Sequence, residues 1–152
     1  MELALAQARC AEEIDEIPVG CVIVDSTERI VSSGCNLTIT THDPTAHAEI
    51  VALRRAAAQI ENYRLVGLTM YVTLEPCCMC SGALIHSRIQ RLVYGAADPK
   101  TGACDSVFDV LKNPLHNHTI EVKGGVLADR CSALLSAFFR RRRAEHKNNM
   151  LS

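Results

Sequence analysis

The order of helix-forming and strand-forming segments predicts an α/β fold of three α-β-α layers, with a mixed sheet of about five strands. Three observations lead there. Helical and extended segments alternate as α-β-β-α-β-α-β-α-β-α. Extended segments are rich in β-branched residues, whereas helical segments space their apolar residues three and four apart. Finally, the connection before the last strand exceeds the roughly dozen residues that a parallel crossover needs, so the last two strands are expected to run parallel. The 152 residues, 48% of them hydrophobic, suffice for one domain with a real core, read as residues 1–152.

Each element has a local reason. ELALAQARCAEEI (Glu2–Ile14) reads as a helix. VGCVIVD (Val19–Asp25) reads as a strand, Asp25–Glu28 as a turn, and Arg29–Cys35 as the returning hairpin strand. In the next helix Asp43 is the predicted N-cap and Pro44 the first helical residue. Its apolar positions Ile50, Leu53, Ala57 and Ile60 keep helical spacing. LTMYVTL (Leu68–Leu74) is a buried strand. A short helix, CCMCSGALIHS, follows Pro76, and RLVYGA (Arg91–Ala96) is a further strand. Residues 97–117 are loop-rich, with a candidate helix at Asp105–Leu111. Thr119–Val126 reads as the last strand. A long helix closes the chain, with Leu127, Cys131, Leu134, Leu135 and Phe138 as its apolar face.

Charge and cysteine content narrow the function classes. The formal net charge is -1, so nothing global marks a nucleic-acid binder. The distribution is uneven, however. Acidic residues dominate the first thirty positions, while Arg140, Arg141, Arg142, Arg143 and Lys147 face Glu145 alone near the end, which hints at an anionic partner there. No secretory segment opens the chain, and no apolar run approaches the ~20 residues that span a bilayer. A cytoplasmic protein without membrane contact is expected. In that compartment close cysteine pairs point to metal or catalysis rather than disulfides. Cys10, Cys21, Cys35 and Cys131 are expected as small core residues.

Two local features carry chemistry. His47-Ala48-Glu49 sits at one helix start, and Pro76-Cys77-Cys78-Met79-Cys80 at the next. Residues three apart share a helix face, whereas neighbours diverge by about 100°. Cys77 and Cys80 are therefore the ligand pair, and Cys78 is expected to pack against a strand or helix. Helix N-termini favour thiolates. With His47 the set is Cys, Cys, His, which zinc accepts; three protein donors leave a fourth corner for water. Glu49 is turned off the ligand face but reaches the space beside that corner, where a proton acceptor is wanted. A redox CxxC or a closed structural zinc site are the alternatives. The first does not need His-Ala-Glu upstream, and the second lacks a well-spaced fourth ligand.

His-x-Glu with Pro-Cys-x-x-Cys is the known signature of zinc nucleobase deaminases. Longer runs sharpen it: PVG (Pro18–Gly20), HDPTAHAEI (His42–Ile50), NYRL (Asn62–Leu65), YVTLEPC (Tyr71–Cys77), IHSRI (Ile85–Ile89), KTGA (Lys100–Ala103), Asn117-His118 and the closing LADRCSALLSAFFRRRR. Over nearly its whole length the chain resembles the bacterial tRNA-specific adenosine deaminases of the cytidine/deoxycytidylate deaminase superfamily. That resemblance implies the cytidine-deaminase-like version of the fold. It also implies hydrolytic conversion of adenosine to inosine at the wobble position of a tRNA anticodon, by a zinc-activated water, in a homodimer holding the anticodon stem-loop. One Zn2+ per subunit would be held by His47, Cys77 and Cys80, with Glu49 shuttling protons. Asn36, Ala48, Asp98 and Asn117 match positions at the bound substrate, and Arg140–Arg143 would touch RNA backbone. Against the family pattern the first helix starts short, and Cys78 and Cys104 stand where non-ligand residues are usual. A deaminase of free nucleosides or bases and a non-catalytic zinc-stapled RNA-binding module are the competing functions.

Overall fold

A computed structural model describes residues 1–151. Its elements in chain order are α1 (Glu2–Glu13), β1 (Gly20–Val24), β2 (Ile30–Cys35), α2 (Ala48–Ile60), β3 (Thr69–Leu74), α3 (Cys78–Ser87), β4 (Arg91–Ala96), β5 (Glu121–Lys123) and α4 (Ala128–Leu151). The sheet order is β2-β1-β3-β4-β5. β1 pairs antiparallel with β2 and β3, whereas β3–β4 and β4–β5 are parallel, as the long crossover requires.

The sheet is covered on both faces, which explains why β1 is apolar at every position. Cys21 and Ile23 point into the main core with Ala48, Ala52 and Leu53 of α2 and Leu84 of α3. Val22 and Val24 point the other way, against Ala4 of α1. α4 lies on that second side too: Cys131 clusters with Leu5 of α1 and Ala96 of β4. Ion pairs of Arg130 with Glu2 and of Arg141 with Asp15 tie α4 to the α1 region.

Gly34 lets α2 sit close enough to bring its first turn over the sheet. A methyl group at that position would lie 2.8 Å from the Ala52 nitrogen and 2.9 Å from the Ala48 oxygen, both backbone atoms. Gly34→Ala is therefore expected to cost about 1–3 kcal/mol, the usual penalty of overpacking, read as a lower urea midpoint at unchanged slope.

Several expectations need correction. α2 starts at Ala48 with His47 as N-cap, not at Asp43. The Asp43 side chain instead closes a local turn, accepting the Thr45 N–H at 2.8 Å. No helix forms at residues 105–111, and β5 is only three residues long. Leu127 lies before α4 in a left-handed conformation, φ 53°; the rest of the expected face packs inward, with Cys131 and Phe138 buried and Leu134 and Leu135 half-buried against the core. Cys10 is exposed and Cys35 half-buried, while Cys21 and Cys131 are buried as expected. Cys10 lies off the Ala4–Ala8–Ala11 face that α1 buries.

Candidate metal centre and active site

The donors converge because two helix starts meet. β3 delivers Cys77 as the N-cap of α3, and the loop after β2 delivers His47 as the N-cap of α2. Cys80 follows one turn into α3 and is buried, whereas Cys77 is half-buried. The His47 Nδ1 lies 3.7 Å from the Cys77 sulfur and 3.6 Å from the Cys80 sulfur. All three donor atoms lie within 4.8 Å of one another. For zinc bonds of normal length, the N–S edge of a tetrahedron is roughly 3.6 Å, so the set fits that ion. Its chemistry fits as well. The Cys77 thiol is pulled down to about 4, chiefly by a hydrogen bond from the Cys80 thiol, whose own pKa is raised by that same contact and by burial. The pair thus shares one proton; a divalent cation supplies the charge that lets both sulfurs be thiolates.

Cys78 does not pack inward as expected. It is exposed, because α3 buries Cys80, Ser81, Leu84 and Ile85. The three-residue spacing still selects Cys77 and Cys80, since an N-cap and the third helical residue fall on one side.

Glu49 stands in the first turn of α2 and is 4% exposed. Burial raises its carboxyl to about 7, partly opposed by a backbone hydrogen bond, the charge of His47 and the neighbouring Cys80 thiol. His47 is raised, first by its hydrogen bond with Cys77. The N-terminus of α2 is secured from outside: the Ala48 N–H donates to the Asn36 Oδ1 at 2.9 Å.

His47, Glu49 and Cys77 open into a cleft of about 540 Å³ also lined by Asn36, Thr38, Asp98 and Lys100. That size suits a single planar base with its sugar. Asn36 and Asp98 are therefore at the cleft. Ala48 is buried behind it. Asn117 is elsewhere: it accepts a hydrogen bond from Arg88 at 2.8 Å, beside the start of β4, whereas the cleft lies beyond that strand's other end. The neighbouring contact of His118 with the Ile89 carbonyl, at 2.7 Å, fastens Asn117 there.

The four arginines divide by helical spacing. Arg140 and Arg143 line a hollow of about 380 Å³ that shares Ala97, Lys100 and Phe139 with the main cleft. Arg141 pairs with Asp15 and Glu145, and Arg142 with Glu145; both also stack on the Phe138 ring. Sequence reading missed Lys100 as a cleft residue and passed over Glu75, a buried acid directly before Pro76. An acid ending a buried strand was the available signal.

A model of the cytidine and deoxycytidylate deaminase zinc-binding region matches residues 1–96. The tRNA-specific adenosine deaminase of Haemophilus influenzae is 56% identical over 147 residues, covering 97% of this chain and 85% of the relative. The enzyme of the same description from Bacillus subtilis is 42% identical, covering 97% and 91%. Among solved structures, one from work on A-to-I editing by tRNA:A34 deaminases at the wobble position superposes with TM-score 0.85 at 43% identity, covering 89% of this chain and 97% of the other. A donor set built for zinc and relatives matched almost end to end lead to one conclusion: the chain belongs to the tRNA-specific adenosine deaminases, within the cytidine and deoxycytidylate deaminase family.

Proposed function

We propose that the chain, acting as one domain, hydrolytically deaminates adenosine to inosine at the wobble position of a tRNA anticodon, with zinc as cofactor. The observation that carries this reading is the buried Glu49 beside a three-donor metal site at a base-sized cleft. When bound by His47, Cys77 and Cys80, zinc supplies the Lewis acidity that makes water nucleophilic near neutral pH. The reaction consumes adenosine and water and releases inosine and ammonia. Glu49 takes the proton of the attacking water and delivers it to the adenine ring nitrogen, then carries the proton of the newly formed hydroxyl to the departing amine. Burial of Glu49 away from bulk solvent supports that role, since its protons are then exchanged with the substrate. Asn36 orients the target nucleotide while holding the Ala48 backbone, and Asp98 contacts it from the facing wall. A loop nucleotide enters at low cost because it is already unstacked.

Arg140 and Arg143, with Lys100, meet RNA phosphates. Their double alanine replacement is expected to weaken stem-loop binding and to lower the slope of log affinity against log salt by roughly one to two. Replacing Arg141 and Arg142 should change that slope little, because their partners lie within the chain. Equal salt slopes for both pairs would remove phosphate contact at the cleft rim.

A homodimer in the cytoplasm completes the reading. Support comes from an apolar groove of about 410 Å³ between α2 and α3, beside exposed Tyr63, with exposed Phe108 and Leu115 elsewhere. Among the described residues, no helix is long and apolar enough to cross a membrane.

One assay separates the readings. Protein is incubated with an anticodon stem-loop carrying a wobble adenosine, and separately with free nucleosides and bases. Inosine in the stem-loop alone is expected. Turnover of free nucleosides or bases alone would make it a small-molecule deaminase, and stem-loop binding without any product a binding module.

A further inference from the structure

We propose that Glu75 is a positioning residue whose buried carboxylate holds the 97–106 loop in the shape that forms one wall of the cleft. Its functional consequence rests on the deaminase reading above; its structural consequence does not. Glu75 is 2% exposed. Its Oε1 accepts the backbone N–H groups of Cys104, Asp105 and Ser106 at 3.1, 2.8 and 2.9 Å. Its Oε2 accepts the Asp98 N–H at 2.9 Å and the Ser106 hydroxyl. Four peptide N–H groups and one hydroxyl thus converge on one side chain, enough to offset the cost of burying its charge.

Tyr94 and Lys112 also hold the Asp105 carboxylate, but no other side chain makes as many hydrogen bonds to the loop. It contains no helix or strand. A side chain at Gly102 would overlap the Glu75 carboxylate, so the loop closes directly around it. The Ala103 N–H donates to the Pro76 carbonyl at 2.9 Å, fixing the loop to the residue before Cys77. Between these anchors the Asp98 side chain closes a tight turn, accepting the N–H groups of Lys100 and Thr101 at 3.0 and 3.2 Å. That turn presents Asp98, Pro99, Lys100 and Thr101 to the cleft. The hydrogen bonds of the carboxylate all go to the loop. Glu75 therefore governs how the substrate fits rather than the chemical step.

An amide replaces it poorly. In Glu75→Gln one oxygen becomes an NH2 group: in one orientation it faces three peptide N–H donors, and in the other it faces the Asp98 N–H, the Ser106 hydroxyl being able to turn and accept. The test uses the full-length, zinc-loaded protein. Backbone amides of Asp98, Cys104, Asp105 and Ser106 should exchange hydrogen about tenfold faster or more, the size of losing one or two buried hydrogen bonds, with β1 and β3 unchanged. KM for the stem-loop should rise about tenfold while kcat stays within about twofold and zinc content is unaltered. Ser106→Ala, which deletes a single bond, should give a smaller change of the same kind and serves if Glu75→Gln does not fold. Unchanged exchange overturns the clamp. Faster exchange with native KM, or a fall in kcat alone, overturns its role in substrate fit. If the native chain forms no inosine, the deaminase reading fails by itself, and the exchange rates still decide whether Glu75 shapes the loop.

Discussion

Replacing Glu49 with glutamine should leave one zinc per chain and slow inosine formation by about a thousandfold or more, within the range expected for a lost general acid–base group. The amide keeps the volume of the side chain, and Glu49 is 4% exposed, so the core around it has little reason to move. What disappears is a group that can both accept and give up a proton. In the proposed reaction the same carboxyl serves the attacking water, the ring nitrogen and the leaving amine, so no other step compensates. His47 cannot substitute, since its Nδ1 faces the two sulfurs. Single-turnover rates with a wobble-adenosine stem-loop, beside zinc analysis of the same sample, measure the effect. A near-native rate would remove the proton shuttle.

Serine at position 77 or 80 should release the metal, while serine at 78 should not. A serine hydroxyl remains neutral where a thiol yields an anion, so the substitution removes both a donor and a charge from the set. The loss should exceed the roughly 10- to 100-fold in affinity that follows changes to a ligand's hydrogen-bond partner. Cys78 points to solvent and touches neither donor, although it is a direct neighbour of Cys77 in the chain. Metal content of the three purified variants decides it. A metal-free Cys78→Ser protein would show that the helical phase has been misread.

Most of the sheet was legible because its causes are local. β-Branched runs bounded by turn residues marked β1 to β4, and the connection after β4 was long enough for a parallel neighbour. The cysteine pair was legible for a similar reason, since its three-residue spacing is its geometry; His47, 30 residues from Cys77, was legible because an α-β-α unit can bring two helix starts together. Where a distant partner replaces a local one, reading failed. The start of α2 shifted from Asp43 to Ala48 because Asn36, arriving from the end of β2, takes the Ala48 N–H that a local cap would have served. A helix at 105–111 was only a candidate within a loop-rich segment. Instead the N–H groups of 104–106 wrap onto Glu75, and Asp105 is occupied by Tyr94 and Lys112. The division of the arginine run was partly hidden: Phe138 and Glu145 lie within helical reach of Arg141, but Asp15 meets it only once α4 has docked.

X-ray absorption at the zinc edge of the purified protein tests the centre most directly. Two sulfur neighbours at about 2.3 Å and two lighter atoms near about 2.0 Å, with the signature of a single imidazole, are the expected result. A third sulfur, or a second imidazole, would mean that four protein donors enclose the ion, leaving no corner for water and no chemistry for Glu49 to serve.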